Sequence, residues 1–121
     1  MTGDELALLL EEGSVQLLDV RTHEEFSGVA GYPCDPAQGH IPGAVHIEWS
    51  KLFRGEGRPL ERDAILLLLS EQGVDPEASI VVYCHSGQRS QMACAALRAA
   101  GIEHAENYDG SWHEWSRRQV G

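Results

Sequence analysis

The sequence lacks any apolar run long enough to cross a lipid bilayer. No run exceeds six residues, the length of Ala64–Leu69, whereas a membrane-spanning helix needs about 20. The amino terminus is also unlike a secretory signal, because the acidic segment Met1–Glu5 stands where a signal peptide carries positive charge. We therefore expect no membrane association and a cytoplasmic location.

Positive charge is scarce in the sequence. Nine Lys and Arg residues stand against nineteen Asp and Glu residues, which gives a formal net charge of −10, and Lys51 is the one lysine. Such a balance repels phosphate backbones and supplies no polybasic patch for anionic lipids. We therefore expect no nucleic-acid partner.

Cysteine is also sparse, and its spacing is not that of a metal site. The chain has three cysteines, Cys34, Cys84 and Cys94, and an odd, small number predicts no disulfide framework. It contains neither Cys-x-x-Cys nor His-x-x-x-His spacing. We therefore expect no structural zinc site.

The 121 residues predict a single domain, 1–121, in which strands alternate with helices. The β-branched run Ile80–Tyr83 predicts a strand covered on both faces, whereas the leucine-rich segment Asp63–Gln72 predicts a buried helix. Further strands are predicted at Val15–Val20, Ala44–Ile47 and His104–Tyr108, and further helices after Thr2, after Thr22, over Ser90–Ala100 and over Ser111–Arg118. This alternation is typical of an α/β fold with a mainly parallel sheet.

The segment Val82–Ser90 carries the chemistry that the sequence predicts. It runs from the buried strand through a loop into the amino terminus of a helix, where unpaired N–H groups and the helix dipole favour an anion. We expect Cys84, at the end of the strand, to be a thiolate. Gly87 allows backbone angles that other residues rarely adopt, and Arg89 adds a planar charged donor suited to an oxyanion. A thiolate beside an anion-binding loop suits nucleophilic attack on an anionic substrate.

Four segments resemble the rhodanese sulfurtransferases. Cys84–Ser90 is similar to the Cys-x-x-Gly-x-Arg-Ser/Thr active-site loop of that family, and the other three segments are Leu17–Phe26, Gly39–Ala44 and Tyr108–Trp112. They follow the family's order and together cover nearly the whole chain. The last segment and the long loop before His40 resemble the carboxyl-terminal half of two-domain thiosulfate and 3-mercaptopyruvate sulfurtransferases.

The resemblance implies a mainly parallel five-stranded sheet with helices on both faces. It also implies that Cys84 attacks the outer sulfur of a small anionic donor such as thiosulfate, becomes a persulfide, and passes that sulfur to cyanide or to a thiol or protein acceptor. No metal or organic cofactor is needed for this reaction. The site residues it implies are the catalytic Cys84 and, for donor binding, His85, Ser86, Gly87, Gln88, Arg89, Ser90 and Arg21.

Two other functions are compatible with the same loop. A sulfur-relay module would accept persulfide sulfur from a partner protein and deliver it to another, with weak activity on small donors. A cysteine phosphatase is disfavoured, because those enzymes place five residues between nucleophile and arginine, whereas four residues, 85–88, separate Cys84 from Arg89 here. The choice between thiosulfate and mercaptopyruvate stays open, since His85 and Ser86 match neither donor's usual pattern.

Several residues near these segments have competing interpretations. Arg21 either binds the donor or pairs with Glu24 or Glu25, and the His85 side chain either faces solvent at the pocket rim or leaves only its backbone N–H to act. Seven Gly and Pro residues between positions 28 and 43 predict a long irregular loop. We expect Asp19 to be a buried polar anchor, His40 to tie the loop to the sheet, and Cys94, Trp112 and Trp115 to lie in the core. Cys34 is expected to be an exposed, incidental residue of the irregular loop, and a redox-active thiol that forms a disulfide with Cys84 on oxidation is the alternative.

Overall fold

The computed structural model describes residues 1–55 and 57–120. One sheet contains four parallel strands, which are β1 (Gln16–Asp19), β2 (Val45–His46), β3 (Ile80–Tyr83) and β4 (Ala105–Asn107), in the spatial order β2-β1-β3-β4. The expected count of five strands is therefore wrong for the described residues. Each of the four strands predicted from the residues themselves is present, and the fifth, implied by the resemblance alone, has no counterpart there.

Five α-helices connect and cover these strands. They are α1 (Gly3–Glu12), α2 (His23–Ser27), α3 (Arg62–Glu71), α4 (Gln88–Ala99) and α5 (Ser111–Val120), with a 3₁₀ turn at Trp49–Leu52. The α4 helix begins two residues earlier than the sequence predicts, because Gly87, with φ of 97°, turns the chain into the helix directly. Among the described residues no helix has the length and apolar character needed to cross a membrane.

Side-chain alternation along the central strands divides the core into two layers. Leu18 and Val82 face a cluster that includes residues of α3 and α4, whereas Leu17, Val81 and Tyr83 face a cluster that includes residues of α1 and α5. Successive side chains of a strand point to opposite faces, so a sheet with apolar residues at every position must be covered on both sides. The structure thus confirms an α/β fold with helices on both faces.

The carboxyl ends of the strands converge on one edge of the sheet. Arg21 follows β1 by two residues, Cys84 follows β3 directly, and Ser111 opens α5 shortly after β4. In open parallel sheets this edge is where ligands bind. The irregular segment 28–43 predicted from its Gly and Pro content forms neither helix nor strand.

Candidate active site

Cys84 lies directly after β3, and the start of α5 fixes its main chain. The backbone N–H of Cys84 donates to Oγ of Ser111 at 3.0 Å, and the Cys84 carbonyl accepts from the N–H of Trp112 at 3.0 Å. The carbonyl of His85 accepts from the N–H of His113 at 2.9 Å. Three hydrogen bonds between the cysteine loop and the amino terminus of α5 hold the main chain of Cys84 and His85 in place.

Hydrogen-bond donors surround the Cys84 sulfur. The backbone N–H of Gly87 lies 3.1 Å from Sγ and the Ser90 hydroxyl 3.3 Å from it, while only 1% of the residue is exposed. Burial is the largest influence and by itself raises the pKa of Cys84, but hydrogen bonds from Ser90, Gly87 and Ser86 outweigh it and leave the pKa below its ordinary value. The loop thus stabilises the thiolate, the nucleophilic form of cysteine.

Gly87 is required at its position for two separate reasons. Its φ of 97° lies in the left-handed region, and a Cβ built on it would stand 2.6 Å from the carbonyl oxygen of Asp109. The Gly87 carbonyl also accepts from the side-chain amide of Asn107 at 3.2 Å. The segment after β4 therefore sets the shape of the loop, and any side chain here would displace the N–H that points at Sγ.

Arg89 is paired, rather than free to meet a substrate on its own. Its guanidinium donates to both carboxylate oxygens of Glu25, at 2.8 and 3.0 Å. Burial by itself raises the pKa of Glu25, but the bonds from Arg89 and from Thr22 lower it to about 2. About a quarter of the Arg89 side chain is exposed, so an anion can reach the guanidinium while Glu25 holds it in place.

The structure pairs Arg21 with Asp19, so the expected pairing with Glu24 or Glu25 is wrong. The side chain is 1% exposed and binds Asp19 through Nε at 3.1 Å and Nη2 at 2.7 Å, not Glu24 or Glu25. Its guanidinium also lies 5.1 Å from the ring centre of Trp112 and donates to the carbonyl of Gly39. With 1% of the residue exposed, little of the guanidinium is open to a donor in this structure, and donor binding by Arg21 stays a prediction. Asp19 is confirmed as a buried polar anchor, since Oδ1 accepts from the Arg21 backbone N–H.

The side chain of His85 turns away from solvent, which neither interpretation of this residue anticipated. Its Nε2 lies 2.8 Å from Oδ2 of Asp35, and its ring stacks on Tyr32 with 3.8 Å between ring centres. Burial by itself raises the pKa of Asp35, but bonds from Arg117 and His85 lower it. His85 therefore ties the irregular segment 28–43 to the cysteine loop.

The other residues singled out in the sequence lie either at the exposed surface or in the interior. The side chains of Ser86 and Gln88 are exposed, and Ser90 is fully buried beneath the sulfur. The structure confirms buried positions for Cys94, Trp112 and Trp115 and an exposed Cys34. His40 has the structural role expected of it, but it ties the loop to α2, not to the sheet, through the carbonyl of Phe26 at 2.8 Å.

Sequence reasoning gave no role to two residues of this site. Ser111, with φ of 51°, accepts from the Cys84 N–H and gives its own proton to the Tyr108 carbonyl at 2.8 Å. Asp35 lies in the irregular segment, and its carboxylate is fully buried. The sequence could have pointed to Ser111, because this residue lies in Tyr108–Trp112, one of the four segments on which the resemblance rests. No local pattern in the sequence points to Asp35, since its partners His85 and Arg117 are 50 and 82 positions away.

Comparisons with known sequences agree on one family. The sequence model of the Rhodanese-like domain family matches residues 2–118. A protein of Haloferax volcanii, provisionally named a thiosulfate sulfurtransferase, is 39% identical over 93% of this chain and 41% of its own length. The sulfur carrier protein TtuD of Thermus thermophilus is 36% identical over 88% of this chain and 40% of its own length. The chain thus spans about two fifths of the length of the curated relatives it matches.

Solved structures with the same fold are also longer proteins. The anaerobic ergothioneine biosynthesis enzyme from Chlorobium limicola, in complex with trimethyl histidine, superposes with a TM-score of 0.84 at 28% identity, over 94% of this chain and 29% of that chain. An EanB variant in a cysteine persulfide state with ergothioneine superposes with a TM-score of 0.85 at 26% identity, over 96% of this chain and 29% of that chain.

Proposed function

The chain belongs to the rhodanese-like domain family, and we propose that it is a sulfurtransferase in which Cys84 carries the sulfur as a persulfide. The observation that carries this proposal is the set of donors around Sγ, with the Gly87 N–H at 3.1 Å and the Ser90 hydroxyl at 3.3 Å. These donors stabilise negative charge on sulfur, and the helix dipole of α4 adds to their effect.

The first step is attack by the Cys84 thiolate on the outer sulfur of an anionic donor. With thiosulfate, a new bond forms between Sγ and the outer sulfur, the bond between the two donor sulfurs breaks, and sulfite leaves with the electron pair. The negative charge moves outward by one sulfur atom and becomes that of the persulfide. The loop donors that stabilised the thiolate are positioned to stabilise this charge as well.

The second step returns the cysteine to its starting form. An acceptor thiolate or cyanide attacks the outer sulfur of the persulfide, the bond between the two sulfurs breaks, and Cys84 leaves as a thiolate. No net oxidation or reduction of the protein occurs over the cycle, so no redox partner is needed. Arg89, aligned by Glu25 and partly exposed, supplies positive charge for the approaching anion.

A sulfur-relay role is the second candidate, favoured by the relative named a sulfur carrier protein. In this role a partner protein supplies the persulfide sulfur and another receives it. The net charge of −10 would then favour partners with basic surfaces. Both candidates use the same Cys84 persulfide and differ in the molecules that deliver and receive the sulfur.

The mass of the purified protein after incubation with thiosulfate tests the shared step. We expect a gain of one sulfur atom on the peptide that contains Cys84, and no gain in Cys84→Ser. Cys94→Ser is the matched control, because Cys94 is buried in α4 and burial raises its pKa to about 11. It should load sulfur as the unaltered protein does. Failure of the unaltered protein to gain sulfur from thiosulfate, mercaptopyruvate or a persulfide-bearing cysteine desulfurase would contradict the proposal.

Turnover separates the two candidates. A sulfurtransferase acting on small donors should form thiocyanate from thiosulfate and cyanide at a rate that Cys84→Ser abolishes. Equal background rates in the two proteins, together with sulfur loading from the desulfurase, would favour the relay.

A further inference from the structure

Three metal-ligand side chains meet next to the cysteine loop. They are Asp35 in the irregular segment, His85 directly after Cys84, and His113 in the first turn of α5, and one ligand atom from each lies within 4.8 Å of the others. His85 Nε2 lies 2.8 Å from Asp35 Oδ2, and His113 Nδ1 lies 3.8 Å from Asp35 Oδ1.

Two of these side chains are already held in position. The Asp35 carboxylate is fully buried, and the ring of His85, 12% exposed, stacks on Tyr32. The third, His113, is 52% exposed and free to adjust, while its backbone N–H is bonded to the carbonyl of His85. Two ligands that are already fixed and one that can adjust favour metal binding, because little side-chain entropy is lost when the ion binds.

We propose that Asp35, His85 and His113 bind a divalent transition-metal ion, with Zn²⁺ as the preferred ion. Zinc bonds of about 2.0–2.2 Å to nitrogen and oxygen place tetrahedral ligands about 3.3–3.5 Å apart. A separation of 4.8 Å must therefore close by about 1.3–1.5 Å, and rotation of the exposed His113 ring can supply that movement. Two imidazoles and a carboxylate are a ligand set that suits zinc, with the fourth position left for water. The net charge of −10 favours any cation at the surface.

Arg117 competes for the same carboxylate. Its Nη1 lies 2.8 Å from Asp35 Oδ1 and also donates to the carbonyl of His113 at 2.7 Å. The side chain is 39% exposed, so it can leave for solvent when an ion arrives. The site therefore has two states. In one, Arg117 neutralises the negative charge of the buried Asp35 carboxylate, and in the other the metal ion does. Removal of the arginine should strengthen metal binding.

The sequence could not reveal this site because its ligands are far apart along the chain. Asp35 and His85 are 50 positions apart and come from different elements. The spacing rules for zinc motifs apply to ligands that are close in sequence, so the absence of Cys-x-x-Cys and His-x-x-x-His does not bear on it. The proposal is independent of sulfur transfer, and its test uses binding alone.

Titration calorimetry with Zn²⁺, and visible absorption with Co²⁺, test the site in the full chain carrying Cys34→Ser and Cys84→Ser, which remove competing thiols. We expect one ion per chain and a rise in Tm on binding. His113→Ala should weaken binding at least about tenfold. His104 is an exposed histidine just before β4, and His104→Ala should leave binding unchanged.

Arg117→Gln gives the distinguishing result, because it should tighten Zn²⁺ binding while His113→Ala weakens it. Both altered side chains are partly exposed, so neither variant depends on rebuilding the core. Zinc binding that is the same in His113→Ala as in the parent, or that falls equally in His104→Ala, would overturn the proposal. Zinc binding that Arg117→Gln leaves unchanged or weakens would also overturn it.

Discussion

Arg89 and Glu25 join the first turn of α4 to α2 across 64 positions of the chain, through two hydrogen bonds of 2.8 and 3.0 Å. The same carboxylate accepts from the backbone N–H and the hydroxyl of Thr22. One residue thus caps α2 and aligns the cation beside the nucleophile. This double use makes Glu25 a determinant both of stability and of the charge at the site.

The pH dependence of unfolding should report on Glu25. Its pKa is about 2 in the fold against an ordinary value of 4.5, so its contribution to stability is complete above pH 4.5 and is lost as the pH falls toward 2, by at most about 3 kcal/mol. Urea unfolding at several pH values should show a shallower acid loss in Glu25→Gln. Glu24→Gln, an exposed neighbour, should behave as the unaltered protein, and an identical acid loss in Glu25→Gln would contradict the prediction.

Ser90→Ala should raise the pKa of Cys84, because it removes a hydroxyl 3.3 Å from Sγ and leaves the effect of burial less opposed. The rise is measured from the ultraviolet absorbance of the thiolate as a function of pH, with the absorbance of Cys84→Ser subtracted. Ser111→Ala is the comparison, since that hydroxyl is 4.0 Å from Sγ and bonds elsewhere. A larger rise in Ser111→Ala than in Ser90→Ala would contradict this view of the loop.

Gly87→Ala should cost more stability than Gly43→Ala. Both glycines have positive φ, 97° and 87°, but a Cβ at Gly87 meets the Asp109 carbonyl whereas one at Gly43 meets no atom within 4 Å. Backbone strain of about 1–3 kcal/mol applies to both, and the clash adds to it at Gly87 alone. Denaturant unfolding measures the difference, and sulfur loading should fall in Gly87→Ala only. Equal stability losses would show that φ alone matters.

Asp19→Asn should destabilise the protein by about 3–5 kcal/mol, because it leaves the buried Arg21 guanidinium without a charged partner. Arg21→Met should also lower stability, while the concentration of thiosulfate that half-saturates sulfur loading stays unchanged. The double variant should lose less than the sum of the two single losses, since the residues are in direct contact. A weaker saturation with thiosulfate in Arg21→Met would restore a donor-binding role to Arg21.

Local patterns in the sequence predicted the elements and the nucleophile. The β-branched run Ile80–Tyr83 identified the central strand, and the sequence placed Cys84 between that strand and a helix, where the structure has it. The helix predicted after Thr22 is α2, which begins with a capping box formed by Thr22 and Glu25. Each of these signals lies within a few consecutive residues, which is why the sequence alone was sufficient.

The partners of the charged residues could not be predicted in the same way. Arg89 was predicted to bind an oxyanion, and the structure pairs it with Glu25. His85 was predicted either to face solvent at the pocket rim or to act through its backbone N–H alone, and the structure pairs its side chain with Asp35. Both pairs join segments at least 50 positions apart, so only the fold brings them together. The environment of Arg21 could not be predicted for a different reason. Its partner Asp19 is only two positions away, but nothing in the sequence shows that the Arg21 guanidinium is buried beside it.

The alternation of side chains along β3 and into Cys84 restricts the changes in strand length that this protein can tolerate. Tyr83 and Cys84 are consecutive, yet one packs with the α1 and α5 layer and the other with the α3 and α4 layer. Inserting one residue in this strand would exchange the faces of the two side chains, so that a phenol ring would stand where the sulfur belongs while the apolar content of the core stayed nearly the same. Such a protein could still form its core, but its Cys84 sulfur would no longer face the loop donors. The length of this strand is therefore as strict a requirement as the cysteine itself.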